Sequence, residues 1–274
     1  MQIELETLKK IEKKFGLFQV IIVNNTTGFL ALGKTLPEWI GFSCAKYPSK
    51  IIEYNKSLSL LDQIKPHLSS VATHSVILFS STPLITEQTL DRIIEYVQIK
   101  DVLACKLPVG CVLNNEYAKK AKEISYDSVF THCYDDFYLV ETKKQLSGVS
   151  EVLRKRVVDY HIQNGVNIIS PAPVTIEPEV NIDKDVDIYA NNTLKGTTTI
   201  SSGVILKEGN VVSNSSVGCN CCLSHAIIEN SKLGKNVYIK PYSIVQDSKI
   251  NNNKIIEAHS KIIKNKYEET NGEI

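Results

Sequence analysis

The amino-acid sequence predicts an α/β domain with a largely parallel sheet, followed by a parallel β-helix of hexapeptide repeats. Three observations predict this fold class. Short apolar segments alternate with helical segments over the first 165 residues. From residue 168 the pattern changes, and an apolar residue recurs at every sixth position. The length of 274 residues suits one large domain or two modest ones, because domains average roughly 150 residues.

The composition excludes several classes of protein. Hydrophobic residues make up 43% of the chain and charged residues 22%, as in ordinary globular proteins. A net charge of +1 lacks the basic field of a general nucleic-acid binder. Residues 1–10 lack the basic flank of a signal peptide, and the apolar stretch 17–23 is too short to span a bilayer. We therefore expect a cytoplasmic protein with reduced cysteines, no nucleic-acid partner and no membrane contact.

Periodicity places the elements of the first part of the chain. Apolar residues at Leu5, Leu8, Ile11 and Phe15 predict a helix over 4–15. Further helices are predicted over 57–68, 86–97, 116–124 and 149–164, and strands over 18–23, 75–79, 102–107 and 110–113. Strands that alternate with helices indicate a largely parallel sheet. Residues 24–56 show no clear period, and we expect an ordered loop that packs Trp39.

The second part of the chain follows a period of six. Seven apolar residues keep this spacing: Ile176, Ile182, Ile188, Leu194, Ile200, Leu206 and Val212. Small or β-branched residues mostly stand two positions before them. The register then slips, and we expect it to resume from Val211, from Ile227 and from Ile250. In a β-helix each hexad forms one strand and one corner, so residues 174–262 supply about five coils.

The corners of the predicted coils need residues that tolerate left-handed backbone angles. Candidates are Asn191-Asn192, Gly196, Asn214 and Asn236. The alternative is an ordinary sheet, but a sandwich would not hold one period for so long. The patterns together predict four segments: an α/β domain over 1–148, a linker helix over 149–166, a β-helix over 167–263 and a polar tail over 264–274. The tail is polar, with Glu268, Glu269 and Glu273, and we expect a solvated segment or a short cap.

Three segments resemble the bifunctional bacterial family that makes UDP-N-acetylglucosamine, the UDP-N-acetylglucosamine pyrophosphorylase / glucosamine-1-phosphate N-acetyltransferase family. They are 76–90, with the sequence VILFSSTPLITEQTL, 140–166 and 168–180. In that family a uridylyltransferase domain precedes a left-handed β-helix acetyltransferase domain. The resemblance therefore implies a reduced nucleotidyltransferase-like, Rossmann-like parallel-sheet domain, followed by a left-handed parallel β-helix. It covers about 58–262 and is weakest before residue 57.

The resemblance also implies candidate site residues. The family's metal-binding Asp falls on Ser81, and its sugar-contacting Asn-Thr-Gly keeps only Gly110. We take Ser81 and Gly110 as candidate substrate-binding residues. The family's second metal ligand falls near Glu141, which we take as a candidate metal ligand. Mg²⁺ is then the implied cofactor if nucleotidyltransferase activity survives, a nucleotide sugar is the implied ligand, and no catalytic residue is assigned.

Several features of the family's chemistry are missing from this sequence. Residues 20–28 replace the family's Gly-rich loop, and neither Gly28 nor Gly33-Lys34-Thr35 restores the phosphate cradle. A hydroxyl at Ser81 is a poor substitute for a carboxylate on Mg²⁺. The family's catalytic His and its phosphate-binding Arg and Lys come after the point where this chain stops. We therefore expect a shortened member that has lost its catalysis.

Three functional hypotheses follow. The first is a catalytically degenerate protein that acts in binding or as a scaffold. The second is an active nucleotidyltransferase with a rearranged site, for which the candidate groups are Lys34, Asp135, Asp136 and Glu141. The third is a β-helix acyltransferase with a site near His225 or His259.

Two further expectations concern the β-helix. By analogy of fold, we expect a homotrimer assembled through its flat faces. The cluster Cys219, Cys221 and Cys222 lacks the distant second pair of a zinc site, so we expect no metal there.

Overall fold

A computed structural model describes residues 17–26 and 28–269. The predicted helix over 4–15 lies outside these residues. The chain forms two compact units, Met1–Val149 and Ser150–Ile274. The linker helix runs over Lys143–Gln163, so it starts and ends earlier than the predicted 149–166. The other predicted segment boundaries stay predictions.

The described residues of the first unit form eight strands. They are β1 (Phe18–Asn24), β2 (Leu30–Ala31), β3 (Lys34–Thr35), β4 (Ser49–Glu53), β5 (His74–Phe79), β6 (Ala104–Lys106), β7 (Cys111–Asn114) and β8 (Ser128–Val129). Six of them form one sheet in the order β4-β1-β5-β7-β6-β8. Strands β4, β1 and β5 are parallel, while β7 runs antiparallel to both of its neighbours. The prediction of a Rossmann-like, largely parallel sheet is confirmed, with one reversed strand.

Five α-helices are described in the chain. They are α1 (Leu36–Ser43), α2 (Leu60–Ile64), α3 (Glu87–Lys100), α4 (Asn115–Lys120) and α5 (Lys143–Gln163). Thr86 caps α3, since its side chain accepts a hydrogen bond from the Thr89 amide. Helix α4 ends before the predicted residue 124, because Ala121 already has an extended backbone.

Residues 24–56 are not the loop that the sequence predicts. Strands β2 and β3 form a hairpin, and α1 and β4 follow it. A capping box starts α1, where the Thr35 amide donates to the Glu38 carboxylate at 2.7 Å. Trp39 is packed as expected, and its indole Nε1 donates to the Ala31 carbonyl at 2.8 Å.

Both faces of the central strands are buried. On one face Val20, Ile22 and Leu78 pack with residues of α3. On the other face Ile21 and Ile77 pack with residues of α2 and α4. Helices on both faces therefore explain why these strands are apolar at nearly every position.

The second unit is a parallel β-solenoid of about five turns with three faces. Face 1 consists of β9 (Asn167–Ile168), β12 (Asp187–Ile188), β15 (Ile205–Leu206), β18 (Cys222–Leu223), β21 (Tyr238–Ile239) and β24 (Ile255–Ile256). Face 2 consists of β10 (Thr175–Ile176), β13 (Thr193–Lys195), β16 (Val211–Ser213), β19 (Ile227–Glu229), β22 (Ile244–Gln246) and β25 (Ser260–Ile263). Face 3 consists of β11 (Asn181–Ile182), β14 (Thr199–Ile200), β17 (Ser216–Val217), β20 (Lys232–Leu233) and β23 (Lys249–Ile250).

The inward positions match the period of six, with two corrections. All seven residues of the first series are buried, and so are the seven residues two positions before them. The predicted restarts at Val211 and Ile227 are wrong, because Val212 and Ile228 point inward instead. The inward series advances by only five residues at several places, for example from Val212 to Val217. The corners there are one residue shorter. The spacing between inward residues falls from six to five, while the strands keep their pairing from coil to coil.

The corners adopt left-handed backbone angles, as predicted. The φ angles of Asn191, Gly196, Asn214 and Asn236 are 60°, 58°, 47° and 54°. Asn192 differs from the prediction, since it is buried inside the solenoid.

At each end of the solenoid, some of the backbone groups of the terminal coil are hydrogen-bonded by a segment outside the coils. At the first coil, Nη1 of Arg154 in α5 donates to the carbonyls of Pro171 at 2.9 Å and Val174 at 2.8 Å. At the last coil, β26 (Lys266–Glu269) pairs antiparallel with β25. The described part of the predicted polar tail is therefore a turn and a strand. None of the helices in the described part of the chain has the length and apolar character needed to cross a membrane.

Candidate functional site

A cavity of about 530 Å³ lies at the carboxyl ends of β1 and β5. After β1 the chain moves to β4 on one side, whereas β5 lies on the other side. The chain connections after β1 and before β5 therefore lead to opposite sides of the sheet, and a crevice opens between them. Parallel α/β sheets bind their ligands at such a crevice. The cavity is lined by Asn25, Thr26, Phe29, Phe79, Ser81, Val109, Leu139, Val140 and Glu141.

A network of hydroxyl and amide groups forms the polar wall of the cavity. The Ser80 hydroxyl lies 2.7 Å from the Thr26 hydroxyl and donates to Oδ1 of Asn24 and of Asn25 at 3.1 and 3.0 Å. The backbone N–H of Asn25 donates to Ser80 Oγ at 3.0 Å. Asn24 is itself fixed, because its Nδ2 donates to the Glu53 carboxylate at 3.0 and 3.1 Å. The residues after β1 are thus tied to those after β5 through uncharged groups.

Ser81 belongs to this wall and is 3% exposed. Its amide donates to Asn25 Oδ1 at 3.0 Å, and its hydroxyl accepts from Asn25 Nδ2 at 3.2 Å. Its carbonyl accepts from the Val140 amide at 2.8 Å. This last bond draws residues 139–141 to the rim, so Ser81 and Glu141 line the same cavity.

Gly110 supports the cavity without lining it. Its neighbour Val109 is a lining residue. Gly110 has φ +103°, and a Cβ there would stand 2.2 Å from the Ile77 carbonyl oxygen. The glycine is required for the close approach of this turn to β5. The structure therefore brings Ser81 and Glu141 together and places Gly110 beside them, while their predicted roles stay predictions.

The electrostatics of the cavity differ from those of a phosphate site. Among the lining residues that the structure describes, Glu141 is the one ionisable side chain and none is basic. Within the ranges 17–26 and 28–269, no group of three or more His, Cys, Asp and Glu side chains could hold a metal ion. The arrangement provides hydroxyl and amide groups, two phenyl rings and a single carboxylate.

The groups named for a rearranged transferase site are not assembled. Asp136 binds at the start of α3, where it accepts from the hydroxyls of Thr86 and Thr89. Lys34 lies in β3, and neither it nor Asp135 lines the cavity.

Sequence reasoning missed Asn25, Thr26, Phe29, Phe79 and Leu139 as lining residues. A signal existed for the first two. Polar residues that directly follow an apolar strand stand at the carboxyl end of the sheet, where ligands bind.

The two histidines named for an acyltransferase share one corner of the solenoid. The Tyr242 ring stacks on the His259 ring, with centroids 5.3 Å apart, and is tilted by 47° against the His225 ring, with centroids 5.7 Å apart. The Ser224 hydroxyl lies 3.3 Å from Nδ1 of His225.

The cysteines are free thiols. Burial raises the pKa of Cys44 and of Cys111 to about 12, which suppresses formation of the reactive thiolate. In the cluster, Cys221 is buried, and its Sγ lies 3.0 Å from the Gly234 carbonyl oxygen.

The molecule thus combines a Rossmann-like α/β unit, which holds a cavity at its switch point, with a parallel β-solenoid. Part of the chain is similar in sequence to GlmU proteins. It is 29% identical over 122 residues to the bifunctional protein GlmU of Clostridium acetobutylicum, which covers 44% of this chain and 27% of that protein. It is 35% identical over 117 residues to GlmU of Streptococcus mutans, covering 43% and 26%. The matches span about a quarter of the length of these curated relatives, and no family model matches the chain.

Two solved structures are distantly similar to this chain. The acetyltransferase domain of PglB from Neisseria gonorrhoeae is 10% identical, with a TM-score of 0.21, over 91% of this chain and 98% of that one. PerB from Caulobacter crescentus, solved with CoA and GDP-perosamine, is 11% identical, with a TM-score of 0.22, over 91% and 96%. Likeness at these TM-scores supports no conclusion about this chain.

Proposed function

We propose that this protein is a catalytically degenerate relative of the GlmU proteins that binds a ligand in the α/β unit without transferring a nucleotidyl group. One observation carries the proposal: the described lining of the cavity holds Ser81 and one carboxylate, and it includes no basic side chain. Nucleotidyl transfer needs a metal and cationic or backbone donors to neutralise the triphosphate. A single carboxylate at Glu141 leaves Mg²⁺ with too few hard oxygen ligands.

We propose a nucleotide sugar as the ligand. The hydroxyls and amides of Asn25, Thr26 and Ser81 are suited to the hydroxyl groups of a sugar or ribose. Phe29 and Phe79 offer apolar surface to a ring. Since the lining residues within 17–26 and 28–269 are uncharged apart from Glu141, the phosphates would lie at the solvent side of the cavity.

Calorimetric titration with UDP-N-acetylglucosamine and with UTP, each with and without Mg²⁺, tests this proposal. We expect the nucleotide sugar to bind with the same affinity in both buffers, and UTP to yield no pyrophosphate. Phe29→Ala should weaken binding by about tenfold, since it removes apolar contact worth roughly 1.4 kcal/mol. Phe42→Ala is the matched control, because Phe42 is exposed and does not line the cavity. Mg²⁺-dependent release of pyrophosphate from UTP would overturn the proposal, and so would absence of binding to the nucleotide sugar.

A second candidate function is acyl transfer by the β-solenoid. The observation that favours it is His225, whose Nδ1 lies beside the Ser224 hydroxyl while the ring remains exposed. If acetyl-CoA binds the folded protein, it raises the melting temperature in a concentration-dependent manner. No shift at millimolar acetyl-CoA rejects this candidate.

We further propose a scaffold role for the solenoid, in a homotrimer that assembles through its flat faces. Sedimentation at micromolar concentration tests the trimer, and a monomer would contradict it. The free cysteines fit a reducing compartment, so we propose that the protein acts in the cytoplasm.

A further inference from the structure

The α/β unit has a second cavity, at the edge of its sheet, which is distinct from the cavity that holds Ser81. Its volume is about 370 Å³. Small-molecule pockets span about 300–1,000 Å³, so this cavity suits a small ligand. It is lined by Arg92, Glu95, Tyr96, Ile99, Phe130 and His132. None of these residues is among the described lining residues of the first cavity.

Helix α3 supplies one wall of this second cavity. The helix contributes Arg92, Glu95, Tyr96 and Ile99. Counted from the first, these positions are three, four and seven residues apart, so they share one face of the helix. Another stripe of α3 is apolar and buried in the core of the unit: Leu90, Ile93, Ile94 and Val97. That stripe holds the helix on the sheet, whereas Ile99 is 74% exposed and is available to a ligand.

The other wall follows the edge strand β8 and is aromatic. The Phe130 ring meets the rings of Tyr96 and of His132 edge-on, with centroids 5.5 Å apart in each pair. The Tyr96 hydroxyl donates to the Val129 carbonyl at 3.0 Å and lies 2.8 Å from Ser128 Oγ. These contacts tie α3 to the sheet edge, so the apolar wall is formed before a ligand binds.

Two opposite charges flank this wall. Arg92 and Glu95 are three residues apart on α3 and both are exposed. Within 17–26 and 28–269, neither side chain forms an ion pair. Nη1 of Arg92 donates to Sγ of Cys133 at 3.5 Å, which orients the guanidinium and leaves its other N–H groups for an anion. The cavity therefore offers a group for an anion, a group for a cation and an apolar surface.

We propose that this cavity binds a free amino acid with a large apolar side chain. The carboxylate of the ligand accepts hydrogen bonds from Arg92, and its ammonium group donates to Glu95. Its side chain packs against Ile99 and the aromatic wall. A residue inside a peptide carries neither charge, and an organic acid carries only one. A small zwitterion uses both charged groups of the cavity.

The sheet edge disfavours a peptide added as a further strand. Such a peptide would need unpaired backbone groups along β8. This strand has only two residues, and the Val129 carbonyl already accepts from the Tyr96 hydroxyl. A small ligand needs none of these backbone groups.

Calorimetric titration with L-phenylalanine, L-leucine and glycine tests the apolar part of the proposal. The first two should bind about tenfold more tightly than glycine, because they bury an apolar side chain. N-acetyl-L-phenylalanine lacks the ammonium charge, and L-phenylalaninamide lacks the carboxylate. Each should bind about threefold to fivefold more weakly than L-phenylalanine, since ion pairs at exposed side chains are screened by solvent.

Matched variants assign each charge to its residue. Arg92→Gln should abolish the difference in affinity between L-phenylalanine and its amide, and Glu95→Gln the difference between L-phenylalanine and its N-acetyl form. Ile99→Ser should weaken binding of L-phenylalanine and L-leucine but not of glycine. The control is Lys100→Gln, because Lys100 is exposed at the end of α3 and is not among the lining residues. Circular dichroism verifies that each variant is folded.

Three results would overturn the proposal. The first is no binding of L-phenylalanine or L-leucine at millimolar concentration. The second is equal affinity for L-phenylalanine and for N-acetyl-L-phenylalaninamide, which would indicate a pocket for a peptide side chain. The third is unchanged discrimination in Arg92→Gln and Glu95→Gln. Binding of the nucleotide sugar is measured in a separate titration, so failure of this proposal leaves that function intact.

Discussion

Two buried asparagines connect successive coils of the solenoid. Nδ2 of Asn210 donates to Oδ1 of Asn192 at 2.9 Å and to the Lys207 carbonyl at 2.6 Å, and Oδ1 of Asn210 accepts from the Ala226 amide at 2.9 Å. Both asparagines are fully buried. Their side chains satisfy backbone groups that the corner leaves without a strand partner.

Asn210→Ala should therefore lower the free energy of unfolding by about 1–3 kcal/mol, because it leaves a buried amide and buried carbonyls unsatisfied. Chemical denaturation measures the loss. Asn251→Ala, at an exposed position just before a turn, is the matched control and should change stability by less than about 0.5 kcal/mol. Equal effects of the two substitutions would contradict a structural role for the buried ladder.

The pH dependence of stability is also set at the residue scale. Burial lowers the pKa of His161 below its ordinary 6.5. The unfolded chain therefore takes up a proton more readily than the folded one, and protonation favours unfolding. The contribution of His161 is complete above about pH 6.5 and is lost as the pH falls toward the lowered pKa.

His161→Leu should flatten the fall in stability between pH 6.5 and pH 5, as followed by denaturant midpoints at several pH values. A profile that stays equally steep in His161→Leu would show that other groups, such as the half-buried His74, dominate it.

At the scale of elements, the turn between β6 and β7 is fixed by its close approach to β5. Gly110→Ala should lower the free energy of unfolding by more than about 1 kcal/mol, because φ is positive and the new methyl group would meet the Ile77 carbonyl. Gly41 in α1 has open space around it. Gly41→Ala should therefore stabilise the protein by about 0.5–1 kcal/mol. Thermal unfolding should show a lower melting temperature for Gly110→Ala and a higher one for Gly41→Ala. A shift in the same direction for both variants would contradict this account.

The sequence predicts most of the elements whose position depends on apolar spacing alone. The buried strand at 75–79 and the hexads up to Val212 follow from apolar spacing. The hairpin and helix over 30–43 were missed, although Thr35 and Glu38 form a capping-box pattern that the sequence contains. Two-residue strands carry too few positions to show alternation, so their presence depends on tertiary contacts such as the bond from Trp39 to Ala31.

The candidate site was only partly predictable. Ser81 and Glu141 were found through a family resemblance, and the structure places both at one cavity. Phe29 and Leu139 were missed because they come from segments far apart in sequence, which the fold brings to the rim. Only the order of the strands, with β1 between β4 and β5, shows where those segments meet.

At the scale of the whole molecule, the backbone amides of the solenoid should not all be equally protected from hydrogen exchange. Inward residues of the middle coils, such as Val212 and Val217, are fully buried, whereas Ile250 and Ile256 in the last coil are 8% and 6% exposed. Strand β26 covers β25 only.

Amide hydrogen exchange should therefore be fastest in β23 and β24 and slowest in β14 to β18, because terminal coils open with the least loss of contact. Exchange measured by mass spectrometry on the intact chain tests this gradient. Equal protection in all coils would indicate that the solenoid opens as one unit.

The shortened corners have a consequence for how the sequence of such a solenoid can diverge in evolution. A residue lost at a corner leaves the ladder pairing intact, as Thr199 with Ser216 and Leu206 with Leu223 show on either side of shortened coils. Deletions are thus absorbed locally, one coil at a time, without repacking the interior. Relatives of this solenoid can diverge in coil length while they keep the same inner stack, and an alignment with a fixed repeat length will lose them.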